Sequence, residues 1–205
     1  IFDNTVGEGS TMDKVTAKWD ATNDKVVVYG GNDYQNCGDF KVSKLSADGK
    51  TATLTGKIPT AVTEDGTPMY AYVSNAKIKK DNDGKHLEVD YSKQEGTFED
   101  AMSRNVLFGK GTYDPANGNE LSMKFEYLTT FLKLTLDFGD NTPNSTASLL
   151  ITGDNLLSMS RVNTAGNNAG KTNYTNGGTI TVSPVTIVNG KAVVYVALYA
   201  RELSN

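Results

Sequence analysis

The chain has 205 residues, 38% of them hydrophobic and 21% charged, and its 20 basic and 24 acidic side chains give a net charge of −4. This composition is typical of a folded chain of roughly one to two domains. The acidic balance argues against nucleic-acid binding, and a single His and a single Cys exclude a His-cluster metal site and an internal disulfide. Twenty Gly against five Pro favour a turn-rich β protein.

Alternating or β-branched apolar runs in the first half predict strands separated by polar turns. The turns are expected at residues 47–50 and 81–84, where Asp, Asn and Gly cluster. The predicted strands cover residues 25–29, 39–45, 51–55, 69–73 and 86–91.

One short helix is predicted over residues 98–108. Its apolar positions follow helical spacing, and Thr97 stands where an N-cap residue is favoured. Glu99 and Asp100 would lie in the first turn, where the helix dipole favours carboxylates.

The second half repeats the strand pattern with longer runs. The predicted strands cover residues 120–125, 128–138, 147–152, 178–183, 185–188 and 191–200. A phase slip near Phe131 suggests a bulge, Asn189-Gly190 indicates a tight hairpin, and residues 163–178 read as a long surface loop. Many short strands favour an all-β sandwich, and the polar stretch at 114–119 predicts two domains, 1–118 and 119–205.

The last predicted strand is apolar on both faces. Val193, Tyr195, Ala197 and Tyr199 alternate with further apolar residues, which is typical of a strand with neighbours on both edges. No residue after Asn205 can be the following neighbour. Three alternatives remain open: an earlier strand fills that place, the chain is a fragment, or another chain supplies the strand.

Residues that carry chemistry are few and scattered. Residues 81–84 resemble the start of a calcium loop, but Ser92 stands where the twelfth-position acid is needed. His86 has no nucleophile motif near it and is expected to face water on a strand. The acidic residues that could form a glycosidase pair are Glu88, Asp90, Glu95, Glu99 and Asp100. Glu88 and Asp90 are explained as the solvent face of a strand, and Glu99 and Asp100 as helix-start positions. We therefore predict no enzymatic activity, no cofactor and no metal site.

Aromatic residues suggest a second hypothesis. Tyr70 and Tyr72 project together from one strand and are expected in the core. Other rings in loop-like sequence could stack on sugars, so the alternative function is a surface-anchored carbohydrate-binding module. These rings are Trp19, Tyr34, Tyr113 and Tyr174.

The order of these patterns resembles the fimbrillin family, the pilin subunits and related surface lipoproteins of Bacteroides-like bacteria. The resemblance covers nearly the whole chain, and its specificity lies in order and spacing rather than in one motif. It departs from the family where Val73-Ser74, Tyr127 and Tyr199-Ala200 replace common Pro or His residues. The matching segments are Trp19 with 24–29, then 51–56, 70–72, Gln94, 100–102, 121–125, 132–136 and 190–198.

The resemblance implies two transthyretin-like (Ig-like) antiparallel β-sandwich domains, the second lacking its last strands. It also implies export as a lipoprotein to the outer membrane, with the signal and the lipid-bearing N-terminus removed from the precursor. The function it implies is a structural or adhesive subunit of a fimbrium (pilus), polymerised by donor-strand exchange. Its partners would be other fimbrial subunits and a host surface protein or glycan, with no nucleic acid. The residues predicted to serve strand complementation are Ile1, Phe2, Val6, Val193, Tyr195, Ala197 and Tyr199.

Overall fold

The computed structural model describes residues 2–3, 16–31, 35–74, 76–117, 121–154, 156–173 and 178–199. It confirms an all-β sandwich fold of mainly antiparallel sheets with one short helix in the described residues; one strand pair, formed by residues 93–94 and 181–182, is parallel. The strands of the first half are β1 (Phe2–Asp3), β2 (Thr16–Ala17), β3 (Lys25–Gly30), β4 (Gln35–Leu45), β5 (Ala52–Thr55), β6 (Pro68–Ser74), β7 (Ile78–Lys80), β8 (His86–Asp90) and β9 (Lys93–Gln94).

The helix α1 (Phe98–Met102) separates these strands from those of the second half, and short 3₁₀ turns lie at Thr60–Val62 and Pro115–Asn117. The later strands are β10 (Leu107–Thr112), β11 (Lys124–Tyr127), β12 (Thr129–Asp137), β13 (Ser145–Gly153), β14 (Met159–Asn163), β15 (Thr172–Asn173), β16 (Gly178–Ile187) and β17 (Lys191–Tyr199).

The chain divides into two compact units, each made of two segments. The first unit is Ile1–Ser74 with Gly109–Lys124, and the second is Asn75–Phe108 with Phe125–Asn205. This division differs from the sequence-based boundary at 118/119. Residues 75–108 belong to the second unit because β8 pairs with β14, and β9 pairs with β16.

The first unit is organised around β3, which lies between β6 and β4, with β5 beyond β4. Every residue from Val26 to Gly30 is buried, which is typical of a strand with neighbours on both edges and cover on both faces. Tyr70 and Tyr72 are buried beside it, as predicted, and the rings of Tyr29 and Tyr72 stack with centroids 6.2 Å apart.

The second unit contains three sheets, ordered β15-β14-β8-β7, β13-β16-β9 and β12-β17. The hairpin at Asn189-Gly190 forms as predicted, with φ of 51° and 73°, values that suit a type I′ turn. The two strands of this hairpin, β16 and β17, belong to different sheets, and apolar side chains are buried between these two sheets. Val182 and Val194 illustrate this, since both are fully buried and both adjoin Gly96.

Helix α1 begins with the predicted cap, since the Thr97 side chain accepts a hydrogen bond from Asp100 N. It ends at Met102, six residues earlier than predicted, because the chain turns so that Arg104 reaches back toward the β8–β9 segment. The guanidinium donates to Asp90 O at 2.9 Å and Lys93 O at 2.6 Å, and its Nη1 lies 2.6 Å from Asp100 Oδ1. These contacts fix the point where the chain crosses between two sheets.

Several elements differ from the sequence-based expectation. Strand β12 pairs with β17 in continuous register, so no bulge occurs at Phe131. The two runs expected at 178–183 and 185–188 form the single strand β16, and β15 lies within the expected loop. Some strands have no counterpart among the predicted ones: β7, β10 and β14, and the two-residue strands β1, β2 and β9. Strand β10 begins at Leu107, within the range predicted as helix.

Candidate functional site

The second unit has an apolar groove between two strands. Its volume is about 350 Å³. One wall is the end of β12, where Leu136 and Phe138 contribute, and the other is Ala147 and Leu149 of β13, with Val185 of β16 at the base. An apolar opening of this kind is a candidate binding site.

Both strands that flank the groove are sheet edges. Among the residues that the structure describes, β12 has β17 as its only strand partner, and β13 has only β16. The groove is therefore bordered by two edges, each of which can accept a further strand.

Side-chain burial decreases from the closed side of the sandwich to the groove. On the β17 side, Val194 and Val196 are fully buried, whereas Leu134 and Leu132, directly opposite on β12, are only half-buried. The same holds for the other sheet, where Val182 is fully buried and its β13 partner Leu149 is half-buried. The core is complete at β16 and β17 and incomplete at β12 and β13.

Some main-chain N–H and C=O groups of β12 point away from its partner strand, β17. In β17, the N–H groups of Tyr195 and Ala197 point away from β12, toward Gly96 and Gln94. Antiparallel pairing alternates, so their partners in β12, Lys133 and Phe131, direct their own N–H and C=O groups away from β17. Within the described ranges these outward groups have no protein partner, which leaves them available for strand pairing.

The second edge of β17 is closed from within the chain. Tyr195 N donates to Gly96 O at 2.9 Å, and the side-chain amide of Gln94 bonds both the N–H and the C=O of Ala197 at 2.8 Å. Of the three alternatives left open by the sequence, an earlier segment fills the place beside β17. The apolar opening lies instead beside β12 and β13.

The residues predicted for strand complementation differ in how exposed their side chains are. Val193 is 52% exposed, and Tyr195 and Tyr199 are half-buried, whereas Ala197 is fully buried. Phe2 lies in β1, where it pairs with Ala17. Ile1 and Val6 lie outside the described residues. The part of all seven in assembly stays a prediction.

The calcium-like segment forms the turn that was predicted, but His86 does not simply face water. Its Nδ1 lies 2.6 Å from Asp81 Oδ2, so this nitrogen carries a proton that it donates to the carboxylate. Arg161 Nη2 donates to the same oxygen at 2.7 Å, and Arg161 Nε lies 3.0 Å from Glu88 Oε1. The main-chain N–H of His86 donates to Asp81 Oδ1 at 3.0 Å, so both carboxylate oxygens have protein donors.

The electrostatics of this cluster agree with that geometry. Burial raises the pKa of Asp81, but hydrogen bonds from the main chain and ring of His86 and from Arg161 outweigh it and hold the pKa well below its usual range. Asp83 and His86 lie within 4.8 Å of Asp81, which is the spacing of metal ligands. However, a cation there would compete with Arg161 for the same carboxylate oxygen, so the cluster is better described as an ion-pair network.

The other sequence candidates do not converge. Asp100 lies in the first turn of the helix, as predicted, and its side chain is buried and paired with Arg104. Tyr113, part of the suggested aromatic platform, is only 3% exposed and cannot stack on a sugar, while Trp19 is partly exposed. Tyr34 and Tyr174 lie outside the described residues. Among the described helices, none has the length and apolar character needed to cross a membrane.

Comparisons with known proteins inform the fold. No family model matches the chain, and no curated protein matches it in sequence. A crystal structure from Bacteroides ovatus, of a protein provisionally described as a cell adhesion protein, matches 93% of this chain and 73% of its own, with a TM-score of 0.53 and 12% identity. At this identity the match shows a shared fold. The resemblance to the fimbrillin family stays a prediction.

Sequence reasoning did not locate the groove. The half-buried row on β13, Ala147, Leu149 and Ile151, does alternate with polar or exposed positions, and this signal is visible in the sequence. What the sequence does not show is that β13 and β12 lie at sheet edges, because that depends on long-range pairing.

Proposed function

We propose that this protein is a structural or adhesive subunit of a cell-surface fimbrium, and that it has no enzymatic role. In this proposal a β-strand from one subunit enters the groove between β12 and β13 of the next. The groove with its two unpaired edges is the observation that carries the proposal. The description of the B. ovatus structural neighbour and the resemblance to fimbrillins support it.

Strand donation suits the groove physically. An incoming strand would pair with the outward main-chain groups of an edge, and its alternate side chains would cover the half-buried apolar rows. Completing the burial of five such side chains, at about half of 1.5–3 kcal/mol each, gives roughly 4–7 kcal/mol. The five are Leu132, Leu134, Leu136, Leu149 and Ile151.

That gain is similar to the cost of association, which is estimated at about 4–15 kcal/mol. Main-chain pairing must therefore add to side-chain burial if the strand is to stay bound. Because a donated strand and its groove are different surfaces, the contact does not close on itself, and repeated donation produces a fibre. Export to the outer membrane and the cell surface is part of this proposal.

A pair of synthetic peptides tests the groove. One alternates Val and Thr over ten residues between terminal lysines, and the other has the same composition with the valines in one block. We expect the alternating peptide to raise the melting temperature of the full chain and the block peptide to have little effect, because only the first presents one apolar face.

Two neighbouring leucines provide the matched variants. Leu149→Arg places a charge in the groove and should abolish the response to the alternating peptide. Leu150→Arg changes the next residue, which points away from the core and is 63% exposed, and should leave the response intact. Equal stabilisation by both peptides, or a full response in Leu149→Arg, would contradict strand binding at this site.

A further inference from the structure

The outer face of the sheet formed by β13 and β16 carries four cross-strand pairs of neutral side chains. We call these eight residues the hydroxyl face: Thr146 with Thr186, Ser148 with Ser183, Leu150 with Thr181, and Thr152 with Thr179. All are exposed except Thr181, which is half-buried. Seven of the eight are hydroxyl residues, and Leu150 is the exception.

The hydroxyl face carries no charged side chain, although 21% of the chain is charged. Lys93, which pairs with Thr181 on the far side of β16, borders the face. The neighbouring sheet is different, because Lys79, Glu88 and Arg161 stand in one cross-strand row there. Covering the hydroxyl face therefore desolvates no ion apart from Lys93 at its border, which keeps the cost of covering it low.

Leu150 lies in the third of the four pairs and is 63% exposed, more than any other exposed large hydrophobic residue of the described chain. A single exposed leucine is ordinary on a protein surface. Here it is the one apolar side chain among seven hydroxyl residues, so its burial adds a hydrophobic gain to any contact that covers the patch.

We propose that the hydroxyl face binds the same face of a second copy of this protein. The face is self-complementary, because each hydroxyl both donates and accepts hydrogen bonds, and a two-fold axis near Leu150 brings the two leucines together. For a chain with net charge −4, a neutral face is also where two copies meet with least repulsion.

The size of the face sets the strength of this contact. Stable interfaces use about 20–30 residues a side, and eight is roughly a third of that number. The pair is therefore weak and forms at high protein concentration. Of the eight residues Ser148 also lines the groove, whereas Leu150 does not, so variants at Leu150 test this contact separately from the proposed function. In a fibre it would be repeated along the length and would favour lateral bundling through multivalency.

Charge variants at Leu150 test the proposal by analytical ultracentrifugation of the full chain. Wild-type protein should increase in average mass with concentration, whereas Leu150→Lys alone and Leu150→Glu alone should stay monomeric through like-charge repulsion. An equimolar mixture of the two should recover association at low salt and lose it at high salt. Met159→Lys, which alters a 49% exposed residue of another sheet, should behave as wild type.

A second measurement uses oxidation. Leu150→Cys should form a disulfide-linked dimer several-fold faster than Met159→Cys. Three results would overturn the proposal. They are wild-type protein that stays monomeric at the highest concentration, a charged mixture that does not associate, and Met159 variants that behave like the corresponding Leu150 variants. A glycan is the alternative occupant of the face. If the protein is monomeric and neutral dextran in a gel retards its migration, and if substitution of Leu150 removes this retardation, the face binds a glycan and the proposal is overturned.

Discussion

The side chain of Gln94 forms with Ala197 the two hydrogen bonds that a neighbouring strand would form. Its Nε2 donates to Ala197 O and its Oε1 accepts from Ala197 N, both at 2.8 Å, and Gln94 is only 3% exposed. A primary amide has the same donor and acceptor as a peptide group, so one side chain replaces one residue of a strand. This contact closes an edge that the sequence left without a neighbour.

Replacing Gln94 by Leu should destabilise the protein strongly. The substitution leaves the buried N–H and C=O of Ala197 without partners, at a cost of about 1–3 kcal/mol for each group. We expect the free energy of unfolding to fall by about 2–6 kcal/mol in urea titrations. Lys93→Leu, at the adjacent exposed position, is the control, and a Gln94→Leu protein as stable as this control would refute the role of the amide.

Arg104→Met should cost about 3–5 kcal/mol, because it leaves the Asp100 carboxylate buried without its cation. The two side chains are 4% and 5% exposed, so water cannot replace the lost contact. Adding Asp100→Asn should recover part of this loss by removing the uncompensated charge. Chemical denaturation of both variants checks this, with Lys57→Met on the surface as control. No recovery in the double variant would show that the main-chain contacts of Arg104 dominate.

The ion-pair network at Asp81 should make stability depend on pH. The folded-state pKa of Asp81 is lowered, so the network contributes stability above the unfolded pKa of about 4, and this is lost as pH falls toward the folded value. Asp81→Asn should therefore be destabilised at pH 7. The difference from wild type should become smaller as the pH is lowered from about 4 to 2.

Unfolding free energies measured between neutral and acid pH check this prediction. Asp140→Asn alters an exposed carboxylate and should follow the wild-type curve at every pH. A constant difference between wild type and Asp81→Asn over the whole range would mean that the carboxylate charge is not the source of the stability.

Gly30 should not tolerate a side chain while Val62 is present. A Cβ at residue 30 would lie 2.7 Å from Val62 Cβ, and overpacking of this kind costs about 1–3 kcal/mol. The double variant Gly30→Ala/Val62→Ala should lose less stability than the sum of the single variants, because the new methyl fills the space that is vacated. Additive losses would argue against this contact. Gly153→Ala, with no atom closer than 3.7 Å, is the control.

Local patterns predict much of this fold. The apolar run at β3, the capping residue Thr97 and the Asn189-Gly190 turn were each identified from neighbouring residues, and the structure confirms them. These features depend on side chains close in sequence, so propensity and periodicity are sufficient.

Features that depend on distant residues were not predictable in the same way. Strand β14 lacks a clean alternation, yet it pairs with β8, which lies about seventy residues earlier. The helix ends early because Arg104 donates hydrogen bonds to main-chain oxygens of another segment. Gln94 bonds to a strand that follows it by about a hundred residues. The location of the groove depends on the same long-range pairings.

The interleaved division of the chain has a consequence for synthesis on the ribosome. Strand β8 leaves the exit tunnel long before β14, its partner, has been translated. The segment Asn75–Phe108 must therefore wait, with apolar residues such as Leu87 and Val89 uncovered, while the first unit receives its own second segment. Until its final strands are in place, a chain of this kind exposes apolar side chains and unpaired strand edges, which are the features that favour aggregation during folding.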